Sequence, residues 1–432
     1  MSPIVIGIIG VIAVFLLLFL GMPIALALIL VGVVGIWQIA SLGAALPVTA
    51  RTIFEVASHY PYMVIPLFII MGSFAASSGM IGTLYNTFEK WLRWLPGGLG
   101  AATIAACGAF SAVSGSSVAT SAAMGTIAYP EMERYNYASR LSTGTIAAGG
   151  TLGFLIPPSI GFVVYGMLTE QSIGRLLIAG ILPGIVLAAV FIGIVVLMVL
   201  RNPSLAPPVT EKVSWKERIY SLAGVWEILA VFIVVMGGIY RGWFSPNEAG
   251  AIGATLLLLV ALVKRKLNLS NLFTALRETV KVATMVLFLV SGATVFTYFL
   301  ALSTIPTVLA RSVAELDVSG YVILIIILLV FLLLGMFIDA VSMMVLTLPV
   351  VFPVIMELGF DPIFFGVICV MMMQVGLITP PMGLNLYTIA GTTRVELDEI
   401  FIGALPFVIP VFIVVALVII FPEIALYLPR MM

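Results

Sequence analysis

The sequence predicts an all-α polytopic membrane protein made of two inverted repeats, each with a re-entrant helical hairpin and a discontinuous helix. Three observations carry that prediction. Hydrophobic residues make up 62% of the 432 and charged residues only 9%, with a mean hydropathy of +1.26. A soluble domain carries about a quarter charged residues, so this chain has too few to cover a surface in water. Apolar runs near the roughly 20 residues that a helix needs to cross hydrocarbon recur almost from end to end. They are continuous rather than alternating, which argues for helices and against an outer-membrane barrel. Finally, GFLIPP at 153–158 returns in the second half of the chain as GLITPP at 376–381.

Taken in order, the run at 4–20 lacks the basic flank of a signal peptide and continues through Gly21, Met22 and Pro23 into a second run. It is therefore expected to remain in the mature protein. Spans are read at 4–20, 22–40 and 61–78. The segment 85–95 mixes aromatics with Glu89, Lys90 and Arg93, the pattern of an interfacial helix. Small-residue stretches at 98–112 and 117–130 flank SGSS at 114–117. Limbs of about fifteen residues fall short of a crossing, so the pair reads as a re-entrant hairpin with its tip inside the protein. The alternative is a small-residue packing face between two ordinary helices. Within 138–170, GGTLGFLIPPSIG at 149–161 should break the helix, because Pro157 and Pro158 remove two amide donors. Such a break leaves carbonyls free for an ion, and equally serves as a packing kink.

Further spans are read at 175–200, 219–240 and 246–263, with a polar loop at 201–218 that carries Pro203, Pro207 and Pro208. The second half offers a span at 281–301 and an interfacial helix at 302–316. An apolar stretch at 321–355 follows, interrupted by GMFID at 335–339, then a broken segment at 363–391 and a last span at 400–421. The expected division is 1–97 for N-terminal scaffold spans and an arm helix, and 98–173 for the first transport half. It continues with 174–318 for central scaffold and a second arm, 319–397 for the second transport half, and 398–432 for the C-terminal span. Hairpin followed by proline-broken helix, twice in the same order, points to a secondary transporter with its site at the repeat interface.

Basic residues mark the cytoplasmic side of short loops. Lys264, Arg265 and Lys266 form the densest cluster, and Arg201, Lys212, Lys216 and Arg218 lie two spans earlier. Placing both inside also puts Lys90, Arg93, Arg134 and Arg140 inside. Both chain ends then lie outside, and the two halves are inverted.

Most catalytic chemistry is excluded. His59 is the only histidine and is expected in a loop; alone it forms neither a metal site nor a Ser-His-acid triad. Cys107 and Cys369 lie in apolar segments and are expected to be packed small side chains. Nineteen basic residues against nineteen acidic ones leave no nucleic-acid footprint. No G-x-x-x-x-G-K-S/T loop occurs, so energy must come from an ion gradient or another chain.

The residues left to carry function sit at the interruptions. Ser111 and Ser114 with the carbonyls of Gly153, Ile156 and Pro158 form a candidate cation site, suited to sodium because it offers oxygen donors without histidine or cysteine. The alternative is that both serines bond back to their own helix. By repetition, Gly335 and Asp339 with Gly376, Thr379 and the backbone oxygen of Met382 form a second. An ionised carboxylate in an apolar stretch usually has a partner or a task; a structural role near the exterior surface is the alternative for Asp339. Ser116, Ser117 and Asn385 are candidate solute contacts. No arginine or lysine lies at either tip, which leaves helix N-termini to attract a carboxylate.

With SGSS, GGTLGFLIPPS and GLITPPMG in these places, the chain resembles the large membrane subunit of tripartite ATP-independent periplasmic (TRAP) transporters, of the DctM or SiaM type, over essentially its whole length. The resemblance implies an elevator-type ion-transporter fold, in which hairpins and broken helices move against a fixed scaffold. It implies sodium-coupled import of a small organic acid across a bacterial or archaeal inner membrane, with two or more Na+ sites and no organic cofactor. C4-dicarboxylates, sialic acid, sugar acids and oxo acids are all candidates. The implied partners are a smaller four-span membrane subunit (DctQ type), expected as a separate chain, and a soluble extracytoplasmic binding protein. Family positions carry over to Ser111, Ser114, Gly153, Ile156 and Pro158, and to the Gly335 region, Gly376, Thr379 and Met382; Asp339 goes beyond them. The rival readings are an organic anion transporter of related fold that needs no binding protein, an intramembrane enzyme, and a passive structural subunit.

Overall fold

Hydrocarbon offers no water to a backbone amide, so a spanning chain must pair its amides internally. The computed structural model describes residues 1–209 and 213–432, and among these the regular structure is entirely helical. Lys212, used above for orientation, lies outside the described residues.

Helices α1 (Pro3–Phe19) and α2 (Ile24–Ile39) form the first apolar pair, turned at Gly21 with φ +83°. Next comes α3 (Leu42–Ser58), capped by Ser41, which the reading of apolar runs missed. Its exposed face carries an Arg51–Glu55 pair, so an amphipathic helix had the hydropathy of a loop. His59 ends it, ring edge-on to Tyr62. A 3-10 turn leads into α4 (Val64–Ser77), and the arm α5 (Met80–Leu92) follows.

The first hairpin is α6 (Gly98–Ser114) and α7 (Ser117–Arg134). At 17 and 18 residues its limbs are longer than the sequence suggested but still short of the roughly 20 a crossing needs, and its tip is buried. The first broken helix is α8 (Ser139–Thr151), a 3-10 turn over Leu152–Phe154, and α9 (Ile160–Thr169). The run read as a span at 175–200 lies within one spanning stretch, Ile173–Arg201, made of α10 (Ile173–Ala179) and α11 (Ile181–Arg201) about the single residue Gly180. Between them Gly180 is pressed so closely that a Cβ there would fall 2.5 Å from the Leu155 carbonyl oxygen. Beyond the central loop, α12 (Trp215–Ser221) meets α13 (Trp226–Tyr240) at a bend of 50°, and α14 (Pro246–Val263) follows.

In the second half α15 (Leu269–Ser303) runs 35 residues and includes the expected span. The arm α16 (Ile305–Ala314) precedes a second hairpin, α17 (Gly320–Gly335) and α18 (Ala340–Glu357). The second broken helix is α19 (Pro362–Leu377) and α20 (Leu384–Thr393). The chain then runs through α21 (Leu397–Ile420) to a short α22 (Glu423–Arg430), which was not anticipated and packs on α10 and α19. Among the described residues, six helices are long and apolar enough to cross a membrane, seven with the bent pair counted.

The repeat is visible element by element. The second hairpin limbs, α7 and α18, are both 18 residues long. They begin at Ser117 and Ala340, the same offset that separates Gly153 from Gly376 in the two proline motifs. Both breaks contain a cis Pro–Pro bond, Pro157–Pro158 and Pro380–Pro381. Packing gathers α1, α2, α3 and α4 around α15, with α14 against α4. Separately, α6, α7 and α8 pack together, with α21 across α8 and α11 against α6 and α21. The α8–α21 crossing is backbone to backbone, since a Cβ on Gly144 would lie 2.1 Å from the Gly403 oxygen.

Candidate functional site

Each site begins with a glycine whose missing side chain lets two backbones touch. At the first, Gly115 turns the hairpin in the left-handed region (φ +60°), and a Cβ there would fall 2.4 Å from the Pro158 oxygen. The Gly115 carbonyl accepts the Ile160 N–H at 3.4 Å. Gly153 sits as close from the other side: its Cβ would meet the Ser116 oxygen at 2.7 Å. Hairpin tip and helix break therefore interlock through main chain.

Around that crossing the Ser111 hydroxyl donates to the Cys107 carbonyl at 2.6 Å, the back-bonded arrangement. The Ser114 and Thr120 hydroxyls share a hydrogen bond at 3.0 Å, and the Ser116 hydroxyl caps α7 by accepting the Ala119 N–H at 3.3 Å. Ile156 packs its side chain against Gly184 of α11. Among the described residues no N–H donates to the carbonyls of Ile156 or Pro158. Prolines cannot donate, and the chain resumes helix only at Ile160, so these oxygens are left over by construction.

The second site follows the same plan. Gly376 presses on Gly335, where a Cβ would fall 2.4 Å from the Gly335 oxygen. The Met382 N–H donates to the Met336 carbonyl at 3.1 Å, tying break to tip. The Thr379 hydroxyl donates back to the Val375 carbonyl, and the carbonyls of Thr379 and Met382 accept no N–H among the described residues. Asp339 lies at the tip as the N-cap of α18, its carboxylate accepting the N–H groups of Val341 and Ser342, both at 3.1 Å. Ser116, the N-cap of α7, holds the equivalent place in the first repeat.

The two halves exchange limbs. α20 packs on α7 and α8 of the first half, while α9 packs on α18 and α19 of the second. At the α7–α20 contact the Asn385 amide donates to the Ser117 hydroxyl at 2.7 Å, a bond between the two repeats. The structure thus brings Ser117 and Asn385 together at two adjoining helix N-termini, with Ser116 beside them. The donor chemistry at both breaks is hydroxyl and carbonyl oxygen, which suits a hard cation. No group of three or more His, Cys, Asp or Glu lies together among the described residues.

Several residues here were not singled out from sequence. Gly72 of α4 clamps the first tip, since its Cβ would lie 2.8 Å from the Ser114 oxygen. Gln374, two residues before Gly376, is fully buried with both amide atoms unpartnered, as are the Ser121 hydroxyl and the Asn385 amide oxygen. A lone glutamine in the otherwise apolar run of α19 is the one signal that pointed there.

Comparison with known proteins agrees with this architecture. Over 98% of this chain and 95% of the other, the fold superposes on the structure of Neisseria gonorrhoeae MtrF, titled as illuminating a class of antimetabolite efflux pumps, with a TM-score of 0.62 and 14% identity. The chain is 37% identical to the C4-dicarboxylate TRAP transporter large permease protein DctM of Pseudomonas aeruginosa, over 88% of this chain and 89% of that one. It is 33% identical to the isethionate TRAP transporter permease protein DctMQ of Oleidesulfovibrio alaskensis, over 91% of this chain and 61% of that longer protein. Both relatives are named as transporter permeases rather than enzymes. Residues 11–424 match the family model of the tripartite ATP-independent periplasmic transporter DctM component, and the chain, a multi-pass membrane protein with two inverted hairpin-and-break repeats, belongs to that family.

Proposed function

We propose that this chain is the large transmembrane subunit of a sodium-coupled importer of a small organic acid delivered by an extracytoplasmic binding protein. The observation that carries the reading is the set of unpaired carbonyls at Ile156, Pro158, Thr379 and Met382, each beside a glycine-tight backbone crossing. Sodium would meet these oxygens together with the hydroxyls of Ser111, Ser114 and Thr379, and with the Gly153, Gly335 and Gly376 backbone. Asp339 would contribute its charge from the cap of α18.

The solute would lie where α7 and α20 begin, against Ser116, Ser117 and Asn385, with helix N-termini facing its carboxylate. Ordering both tips by sodium lowers the cost of forming that cavity, which couples the two binding free energies. The hairpins and broken helices would travel as an elevator against the α1–α4, α14 and α15 scaffold, in an inner membrane with both chain ends outside. The relatives are named for a C4-dicarboxylate and for isethionate, so an organic anion is the substrate class.

The test is uptake into proteoliposomes holding this chain, its small membrane partner and the cognate binding protein, under an imposed sodium gradient. Uptake of a delivered acid should require sodium and the binding protein. Uptake that survives omission of the binding protein would favour the receptor-independent transporter, and absence of any sodium dependence would reject the coupling.

A further inference from the structure

Two short amphipathic helices carry an aromatic and basic surface that neither break uses. Side-chain bonds hold α12 against α5: the Thr87 hydroxyl donates to the Ser221 carbonyl at 2.8 Å, and the Trp91 indole N–H to the Arg218 carbonyl at 3.2 Å. The Trp91 and Trp215 rings meet edge to face at 6.4 Å, and the Arg218 guanidinium lies over Trp215, its carbon 5.0 Å from the ring centre. Trp94, Trp215, Tyr220 and Trp226 are each at least 60% exposed, as is Ile219. Large amphipathic rings left outside in this way collect at the headgroup level of a bilayer.

Among the described residues the charges on this surface do not cancel. Glu89 is engaged by Arg93, and the Glu217 carboxylate accepts the Ser214 N–H in a capping box. Among the described residues no acidic side chain comes within ion-pair distance of Lys90, Lys216 or Arg218. The Arg218 Nε–H is buried with no acceptor. The outer nitrogens of this guanidinium, which meet no carboxylate among the described residues, are the ones an oxygen from outside the chain can reach. A phosphodiester at headgroup level is such an oxygen source, and the planar guanidinium fork suits it.

We propose that the α5–α12 seat binds the headgroup of an anionic phospholipid. Arg218 and Lys216 hold the phosphate, Lys90 adds to the positive field, and the acyl chains run along Ile219 and the exposed rings. The occupant is a lipid rather than a free anion because cations and exposed apolar rings share these two short helices, and a free phosphate has nothing to place on the rings. Since α5 also packs on both limbs of the first hairpin, the bound lipid pins the arm beneath that hairpin at the membrane surface.

Native mass spectrometry of the purified complex, full chain with its small membrane partner, tests this without any transport readout. The complex is titrated with dioleoylphosphatidylglycerol and, separately, dioleoylphosphatidylcholine. Two basic contacts predict a preference of about tenfold or more for phosphatidylglycerol. That preference should vanish in the Lys216→Gln/Arg218→Gln variant and weaken in the wild type as salt is raised. Equal binding of the two lipids, or a preference unchanged in the double variant, would overturn the proposal. Should the variant fail to fold, the wild-type salt titration decides, and a salt-insensitive preference sinks it. Displacement of the lipid by equimolar inorganic phosphate, or its exclusion by the membrane partner, would show a different occupant and also overturn it.

Discussion

The two breaks share one plan and differ in what covers them. Both have a glycine-tight crossing, a cis Pro–Pro bond and an N-capped second hairpin limb, with breaks and caps repeating at one common offset along the chain. Yet Ser114 and Ser117 at the first tip are 4% and 2% exposed, whereas Phe337 at the second tip and Met382 at the second break are 62% and 55% exposed. The first tip is clamped by Gly72 of α4 and by Asn385 from the opposite half. The caps themselves, neutral Ser116 and ionisable Asp339, are both only partly buried, so they differ in charge and not in covering. The lesson is that repetition sets the geometry of a break, while neighbouring helices set how far it is covered.

The largest expected effect tests the shared plan. Gly153→Ala and Gly376→Ala each drive a methyl group into main chain. Overpacking of this kind costs about 1–3 kcal/mol, so sodium-driven uptake at matched expression should fall about tenfold or more. Gly391→Ala, on α20 with open space around it, is the control and should keep uptake within about twofold. If Gly376→Ala behaves like Gly391→Ala, the second crossing is not part of the mechanism.

The next prediction sharpens the difference. With Cys107 and Cys369 both buried, introduced cysteines can be read against a quiet background. In the solubilised protein Phe337→Cys should react with a small maleimide about tenfold faster than Ser114→Cys, the ratio expected when one thiol is uncovered by the rest of the chain and the other enclosed. Equal rates would erase the contrast between closed and open tips.

A smaller effect separates two roles for Asp339. Losing the cap in Asp339→Ala should cost about 1–2 kcal/mol in denaturant unfolding, and Asp339→Asn, which can still cap, should cost less than about 0.5 kcal/mol. If Asp339→Asn nonetheless weakens the sodium dependence of uptake, the carboxylate charge serves the ion as well as the helix. Smallest is Ser116→Ala at the closed tip, about 1 kcal/mol or less by the same measurement. A larger loss there than at Asp339→Ala would reverse the comparison.

Much of this architecture could be read from residue order. Proline pairs and clustered glycines announced both breaks, because neither residue type continues a helix unassisted. The hairpin limbs were located to within a few residues, and the serines of SGSS do cap and cross-link the tip. What escaped did so for physical reasons. Helices α3 and α22 are amphipathic, so a scan for uninterrupted apolar runs passed over them. Gly72 and Ser121 matter through neighbours far away in sequence, which periodicity does not report.

By itself the order of amino acids determined a membrane-spanning, helical, twice-repeated chain with two interruptions. Hydropathy, amide pairing and the missing proline donor are local properties that act wherever the residue stands. The tertiary structure alone decided that α20 crosses to the first half and α9 to the second, that Asn385 meets Ser117, and that one tip closes while the other stays open. Those outcomes depend on which surfaces fit when whole helices pack, and helix packing in a bilayer is decided by close contact and polar pairing between segments, not by the hydrophobicity of any one of them.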